Sequence, residues 1–296
     1  MLGVRKLQRL TLLSIPTCEA AVAKAASSLS EALDSLNKNQ NSVPKGVVGL
    51  FRGLQMTAIV HVSCGKGGVE EGTLLQGLTE DIVDTIGVNQ QKLDSEDALK
   101  QLKQLRLLRP FHSAETVDAA LKAAASKLMS PVKIKALEVI QHRPDLYVGS
   151  YLLRPVSGTV GVAASFVSLA GERPLHPDWE ALLKHPVWGL CQQVLLSRPF
   201  SVTVDQLPSQ YLTKLQTQIR GSKSNQKSEE PQAQEQALQL RLARRVLELQ
   251  PALFDSEETT VGQAVAALVG ETQLKLDRCA YADSRWKNQG MLDVRK

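Results

Sequence analysis

The sequence predicts an all-α protein, an α-solenoid of about six helical-hairpin repeats of 44–47 residues, on three observations. Apolar residues make up 43% of the chain but aromatics only 4%. Ala and Leu therefore carry most of the apolar load, a composition that suits close-packed helices better than sheets rich in Val, Ile and Tyr. A phrase built on a Leu pair and a proline recurs along the chain. Between its recurrences, apolar residues return at the three- and four-residue spacing of a single helix face.

The phrase is clearest in LLRPFHSAETVDAALKAAASKL, Leu107 to Leu128, and in its echo LELQPALFDSEETTVGQAVAAL, Leu247 to Leu268. LLSIPTCEAAVAKAASSL near the N-terminus, LLRPVSGTVGVAASFVSL from Leu152 and LLSRPFSVTVDQLPSQYL from Leu195 complete five copies, with prolines at 16, 110, 155, 199 and 251. The long first interval holds two periods and places a sixth junction near Ser63, in VSCGKGG. Proline stops a helix, and a Ser or Thr just after it caps the next one, with acids at the positive end of the macrodipole. The expected caps are Thr17 before Glu19, Ser113 before Glu115 and Ser256 before Glu258. The expected helix faces are Val22, Ala25, Leu29, Ala32 and Leu36; then Leu75, Leu78, Ile82 and Ile86; then Leu99, Leu102, Leu105 and Leu108. A narrow stripe cannot be buried by one helix alone, and stacking helical pairs buries it.

Four segments follow. Residues 1–18 form a basic N-terminal segment in which Arg5, Lys6 and Arg9 stand among leucines with no acid before Glu19, the style of a mitochondrial presequence and equally of a basic docking arm. Residues 19–220 hold helical repeats. Residues 221–236, GSKSNQKSEEPQAQEQ, are a flexible polar insertion, because Ala233 is their only hydrophobic residue. Residues 237–296 hold the last repeat and a basic tail.

The 35 basic and 30 acidic residues leave a net charge of +5, a mild bias toward anionic partners. Cys18, Cys64, Cys191 and Cys279 contain no CxxC pair, so the spacing writes neither a zinc site nor a disulfide framework. The longest apolar stretches, Val47 to Cys64 and Val160 to Ala170, fall short of a membrane span. SCGKGG at 63–68 has the glycines and lysine of a phosphate loop, but glycines and Val69 follow the lysine where Ser or Thr is needed, and it reads as a helix-to-helix loop. His61 and Cys64 could share a metal but lack a second pair of ligands. His112, His142, His176 and His185 stand near prolines, where capping of helix ends is expected. Trp179 and Trp188 flank an expected helix break and read as inter-helix packing. No GxSxG, HExxH or paired-carboxylate pattern accompanies them, and the expectation is a non-enzyme with no cofactor and no metal. Lys100, Lys103 and Arg106 recur on one expected helix, and Arg241, Arg244 and Arg245 on another. Such stripes can follow a phosphate backbone, and these six residues are the candidate RNA contacts.

The two clearest phrases resemble organellar helical-repeat proteins of the heptatricopeptide, octotricopeptide and FAST-kinase-like kind. That resemblance implies residence in the mitochondrial matrix and contact with RNA or a ribonucleoprotein. The expected function is a structural subunit of a mitochondrial ribonucleoprotein, foremost the mitochondrial ribosome, that binds RNA and neighbouring proteins and takes no small-molecule substrate. The alternative is an accessory subunit of a mitochondrial membrane complex, such as ATP synthase or the respiratory chain, without RNA and itself not transmembrane.

Overall fold

The apolar run from Val47 to Cys64 folds as a β-hairpin, not as a helix. In the computed structural model, which describes Ala20, Ala23 and residues 46–65, 69–93, 97–176, 178–221, 238–239, 242–243, 245–252, 259–268 and 274–284, strand β1 (Gly46–Arg52) pairs antiparallel with β2 (Met56–Cys64). The run shows no period-2 alternation because both faces are buried: Val48, Leu50 and Ile59 on one, Val47, Ala58 and Val60 on the other. A strand buried on both sides reads as continuous apolar sequence, which periodicity cannot tell from a buried helix.

The all-α solenoid is thereby overturned, together with its helical repeats. The described residues form six helices and nine strands in three antiparallel sheets. After β2 come α1 (Val69–Val88), α2 (Ala98–Gln104), the small β3 (Arg106–Phe111) and β4 (Ala114–Thr116) hairpin, α3 (Val117–Leu128) and β5 (Val132–Gln141). Next are β6 (Leu146–Leu153), β7 (Val160–Gly161), β8 (Ala163–Ala170), α4 (Trp179–Ser197), α5 (Ser209–Gly221), α6 (Val261–Ala267) and β9 (Lys275–Asp283). The first sheet is ordered β5-β2-β1-β7 and the last β6-β8-β9.

The chain divides into two compact units. One holds the described residues up to Arg143 with Ser150–Phe166 and Ala280–Ser284; the other holds Pro144–Gly149 and the described part of Val167–Cys279. In the first, the stripe Leu75, Leu78, Ile82 and Ile86 lies as the sequence implies, on the buried face of α1, where it joins Met56, Ala58, Val60 and Val62 of β2 in one core. In the second, α4 runs straight through Pro186, so Trp179 and Trp188 share one helix and do not flank a break. The backbone carbonyl that Pro186 leaves without its helical amide belongs to Leu182, an exposed position. Leu207, Leu215, Leu242 and Val246 form a smaller cluster beside the stacked rings of Phe200 and Tyr211, whose centroids lie 4.7 Å apart.

A twofold repeat replaces the sixfold one. A strand pair, a long helix, an excursion, a short Thr-capped helix and a third strand occur as β1-β2-α1…α3-β5 and again as β6-β8-α4…α6-β9, with the second strand central both times. The echo between Leu107–Leu128 and Leu247–Leu268 is the same position in these two copies. Thr116 caps α3 by accepting from the Ala119 amide, and Thr260 caps α6 by accepting from the Gln263 amide in a reciprocal capping box. Val117, Ala120 and Leu121 are buried behind the first cap as Val261, Ala264 and Val265 are behind the second. Ser113 is no cap: with His112 it forms the two-residue turn between β3 and β4, both at positive φ, which a type I′ hairpin requires. Thr17 and Ser256 lie outside the described residues.

The other phrases do not repeat this motif. The one from Leu152 spans the end of β6, a loop, β7 and most of β8, and the one from Leu195 is the end of α4, the irregular stretch beyond it and the start of α5. Pro110 sits in a strand; among the described prolines of the phrase, Pro199 alone follows an α-helix end, after Arg198 in the left-handed C-cap position. Residues 1–18 and the heart of the 221–236 segment lie outside the described residues. Among the described residues, no helix is long and apolar enough to cross a membrane.

Candidate docking groove

The turn between β1 and β2, Gly53-Leu54-Gln55, is tied down from several sides. The Gly53 amide donates to the Met56 carbonyl at 2.9 Å, and the His142 amide, at the end of β5, donates to the Gln55 carbonyl at 2.7 Å. The His142 ring closes the tie, with Nδ1 3.1 Å from the Leu54 carbonyl and Nε2 3.0 Å from the Thr57 hydroxyl. A carbonyl can only accept, so the neutral ring carries its proton on Nδ1, and Nε2 accepts from Thr57. Burial holds the His142 pKa below the ordinary histidine value, against the pull of the Leu54 carbonyl, and so favours this neutral form. A turn fastened in this way presents the Leu54 side chain outward, with 97% of the residue exposed.

Two further apolar side chains of this unit stand exposed. Val88 ends α1 at 67% exposure, and Leu108 of β3 is 56% exposed. The end of α1 is closed by the Asn89 side-chain amide, which donates to the Thr85 carbonyl at 2.9 Å, and by the Gln90 side-chain amide, which donates to the Gly87 carbonyl at 2.9 Å. Leu108 is held by its own amide, which donates to the Thr85 hydroxyl at 3.2 Å. Gly87 lets the helix approach the half-buried Phe51, because a Cβ there would lie 2.8 Å from the ring. The result is two adjoining depressions of about 550 Å³ each, one floored by Phe51 and Val83 with Leu108 on its wall, the other lined by Leu54 and Gln91, sharing Val88 and Gln90. Arg109 forms an ion pair with Asp84 at the edge and lies 3.5 Å from Asp81. Burial nonetheless pushes the Asp81 carboxyl above its usual range.

Sequence reasoning missed Phe51 and Leu54 by reading the run around them as helix, and missed Val88 because nothing in the helix that it ends marks it as part of a site. The detectable signal was Arg-Gly-Leu-Gln between two β-branched stretches, a turn signal that leaves its Leu no core to enter.

The candidate RNA contacts are scattered differently from the expected stripes. Lys100 and Lys103 are on α2, but that helix ends at Gln104 and Arg106 opens β3, so the three do not form one helical stripe. Each end of the set has an acidic neighbour: Lys100 Nζ lies 2.8 Å from Asp97, and Arg106 lies 3.6 Å from Glu115. Arg241 and Arg244 lie outside the described residues, and Arg245 is exposed just before Val246.

His61 and Cys64 point to opposite faces of β2, since Cys64 joins the core under α1 and His61 does not, so they cannot share a metal. Among the described residues, no group of three or more His, Cys, Asp or Glu side chains is placed to hold a metal ion. Ser63 and Cys64 close a strand and Val69 opens α1, so this loop joins strand to helix, not helix to helix. His112 lies in a hairpin turn, His142 at a strand end and His185 inside α4; only His176, 3.3 Å from Asp178, stands at a helix start. Helix capping by the first three is thus replaced by turn, strand-end and surface roles. Comparison with known families and with curated proteins finds no match to this chain. The class defined by fold and site is an antiparallel α/β protein with an exposed apolar groove at the turn end of its first hairpin.

Proposed function

We propose that this chain is a non-enzymatic binding subunit of a mitochondrial ribonucleoprotein, foremost the mitochondrial ribosome, and that the groove at Leu54 is its protein-docking face. The observation that carries this reading is that exposed Leu54 and Leu108 line two depressions that share the exposed Val88, with the turn and the helix end fastened by hydrogen bonds. Large apolar side chains kept outside a core and gathered in a depression mark a surface that another protein covers. The mitochondrial part rests on Arg5, Lys6 and Arg9 in an acid-free start, and the RNA part on the net charge of +5 and on the exposed Lys100 and Arg106.

The acids beside Lys100 and Arg106 weaken their attraction for phosphate, and this favours a second reading, the accessory subunit of a mitochondrial membrane complex without RNA. One experiment separates the two. Tagged chain in mitochondrial lysate is expected to sediment with a heavy particle and to move to lighter fractions after ribonuclease. Heavy sedimentation that ribonuclease leaves unchanged selects the membrane-complex reading, and sedimentation as a free monomer rejects both.

Charge reversal at Lys100, Lys103 and Arg106 is expected to reduce RNA retention on filters alike for unrelated sequences. The salt dependence should flatten by about one unit of slope for each phosphate that the variant no longer neutralises. Unchanged retention at every salt concentration would remove these residues from the RNA surface.

A further inference from the structure

The end of α3 and the turn between β3 and β4 meet through one hydrogen bond that neither the groove nor the RNA reading uses. Lys127, in the last turn of α3, has its Nζ 3.1 Å from Nε2 of His112. An ammonium can only donate, so the imidazole is neutral, accepts through Nε2 and carries its own proton on Nδ1. The ring is held by the turn, where His112 has a φ of 46°, and by Phe111, whose ring meets it edge-on with centroids 4.5 Å apart. His112 and Lys127 are both exposed, so a solute reaches the pair.

Other lysines of this unit have acidic neighbours instead. Lys122, earlier on α3, is ion-paired with Asp118 at 2.7 Å. Lys100 is paired with Asp97 at 2.8 Å, and the hydrogen bond from that carboxylate holds the Lys100 amine above its ordinary pKa. A carboxylate beside an amine favours its protonated form and so keeps its lone pair from reacting. A neutral imidazole adds no such charge, and its ring nitrogen can take a proton.

The structure assigns to Lys127 the role of acceptor for acyl groups carried as thioesters, with His112 as the base of the transfer. The unprotonated Lys127 amine adds to the thioester carbonyl, which forms the C–N bond and leaves the oxygen anionic and the nitrogen cationic. A cationic amine departs more readily than a thiolate, so the addition goes forward only when the nitrogen loses a proton. Nε2 of His112, at hydrogen-bond distance from that nitrogen, takes it. The carbonyl end of α3 favours the transient positive charge on the nitrogen before the proton leaves. The C–S bond then breaks, and the departing thiolate takes the proton from the imidazolium. The products are an amide on Lys127 and a free thiol, and the chain loses one positive charge. Neither residue lines the groove, so this proposal and the ribonuclease experiment stand or fall separately.

The test is incubation of the full chain with acetyl-CoA, followed by mass spectrometry that reads the acetylation rate lysine by lysine. Lys127 is expected to react faster than the acid-paired Lys122 and faster than Lys133, an exposed lysine of β5. His112→Asn is the informative variant, because asparagine suits a left-handed turn position and can accept a hydrogen bond but is no base. It is expected to lower the Lys127 rate about tenfold, less than the roughly hundredfold of an enclosed general base because this pair is open to water. The Lys122 and Lys133 rates should stay unchanged, and circular dichroism of the variant should match the wild type. Three results overturn the inference: a wild-type Lys127 rate no higher than that of Lys133, a Lys127 rate that His112→Asn leaves unchanged, or a fall shared by all three lysines.

Discussion

Gly49→Ala is expected to lower the unfolding free energy by about 1–3 kcal/mol, the range for forcing an extra methyl into a closed core. A Cβ at Gly49 would lie 2.4 Å from Cγ2 of Val83, 2.9 Å from Cγ1 of Val60 and 3.0 Å from Cγ2 of Thr79. All three are branched side chains with little rotamer freedom, so α1 must lift from the sheet or the strand must bend. Val83→Ala opens the space, and the double variant is expected to recover part of the stability, a coupling that denaturant titration of the four proteins reads directly. The first strand of the other copy repeats the device: a Cβ at Gly149 of β6 would lie 2.4 Å from Cγ1 of Val187 in α4. Gly149→Ala is therefore expected to be rescued by Val187→Ala and not by Val83→Ala. Additive effects in the matched pairs would contradict the close approach of helix to strand.

Acid is expected to destabilise the first unit through His61. This histidine on β2 is only 5% exposed, and its pKa is lowered from 6.5 to about 4, first by burial, then by the charge of Lys135, against a smaller pull from Asp283. The unfolded chain takes up a proton below about pH 6.5, whereas the folded chain does so only near pH 4. The stabilising contribution is thus fully present above 6.5 and is lost as pH falls toward 4, by about 3 kcal/mol in all. His61→Gln removes the titration, so the gap between wild-type and variant stability should narrow from pH 7 to pH 4. Parallel stability curves for the two proteins over that window would contradict a neutral buried imidazole.

What could be read in advance divides along a physical line. The amphipathic stripe of α1 was legible because a helix with one solvated face keeps its 3.6-residue period, and Leu75, Leu78, Ile82 and Ile86 are all buried as their spacing implies. The likeness of Leu107–Leu128 to Leu247–Leu268 was legible because Thr caps, buried Val and small Ala residues meet the same geometric demands at both places, but its reading as helical-hairpin repeats is overturned by the sheets between them. The strands were illegible because β1, β2 and β8 are buried on both faces, which erases the alternation that marks a half-exposed strand. Low aromatic content then misdirected the fold class, since Val, Ile and Ala fill these sheets in place of Tyr and Trp. The groove needed the fold: Leu54, Val88 and Leu108 come from a turn, a helix end and a separate hairpin, and no local pattern joins them.

The most direct measurement of the docking claim is photo-crosslinking in mitochondria from a benzoylphenylalanine placed at Leu54, with the same probe at the exposed Leu182 of α4 as control. The predicted result is a crosslink from position 54, absent from position 182, to a peptide of another protein. Equal crosslinking from both positions, or crosslinks from position 54 only to this chain itself, would contradict a dedicated groove for a partner protein.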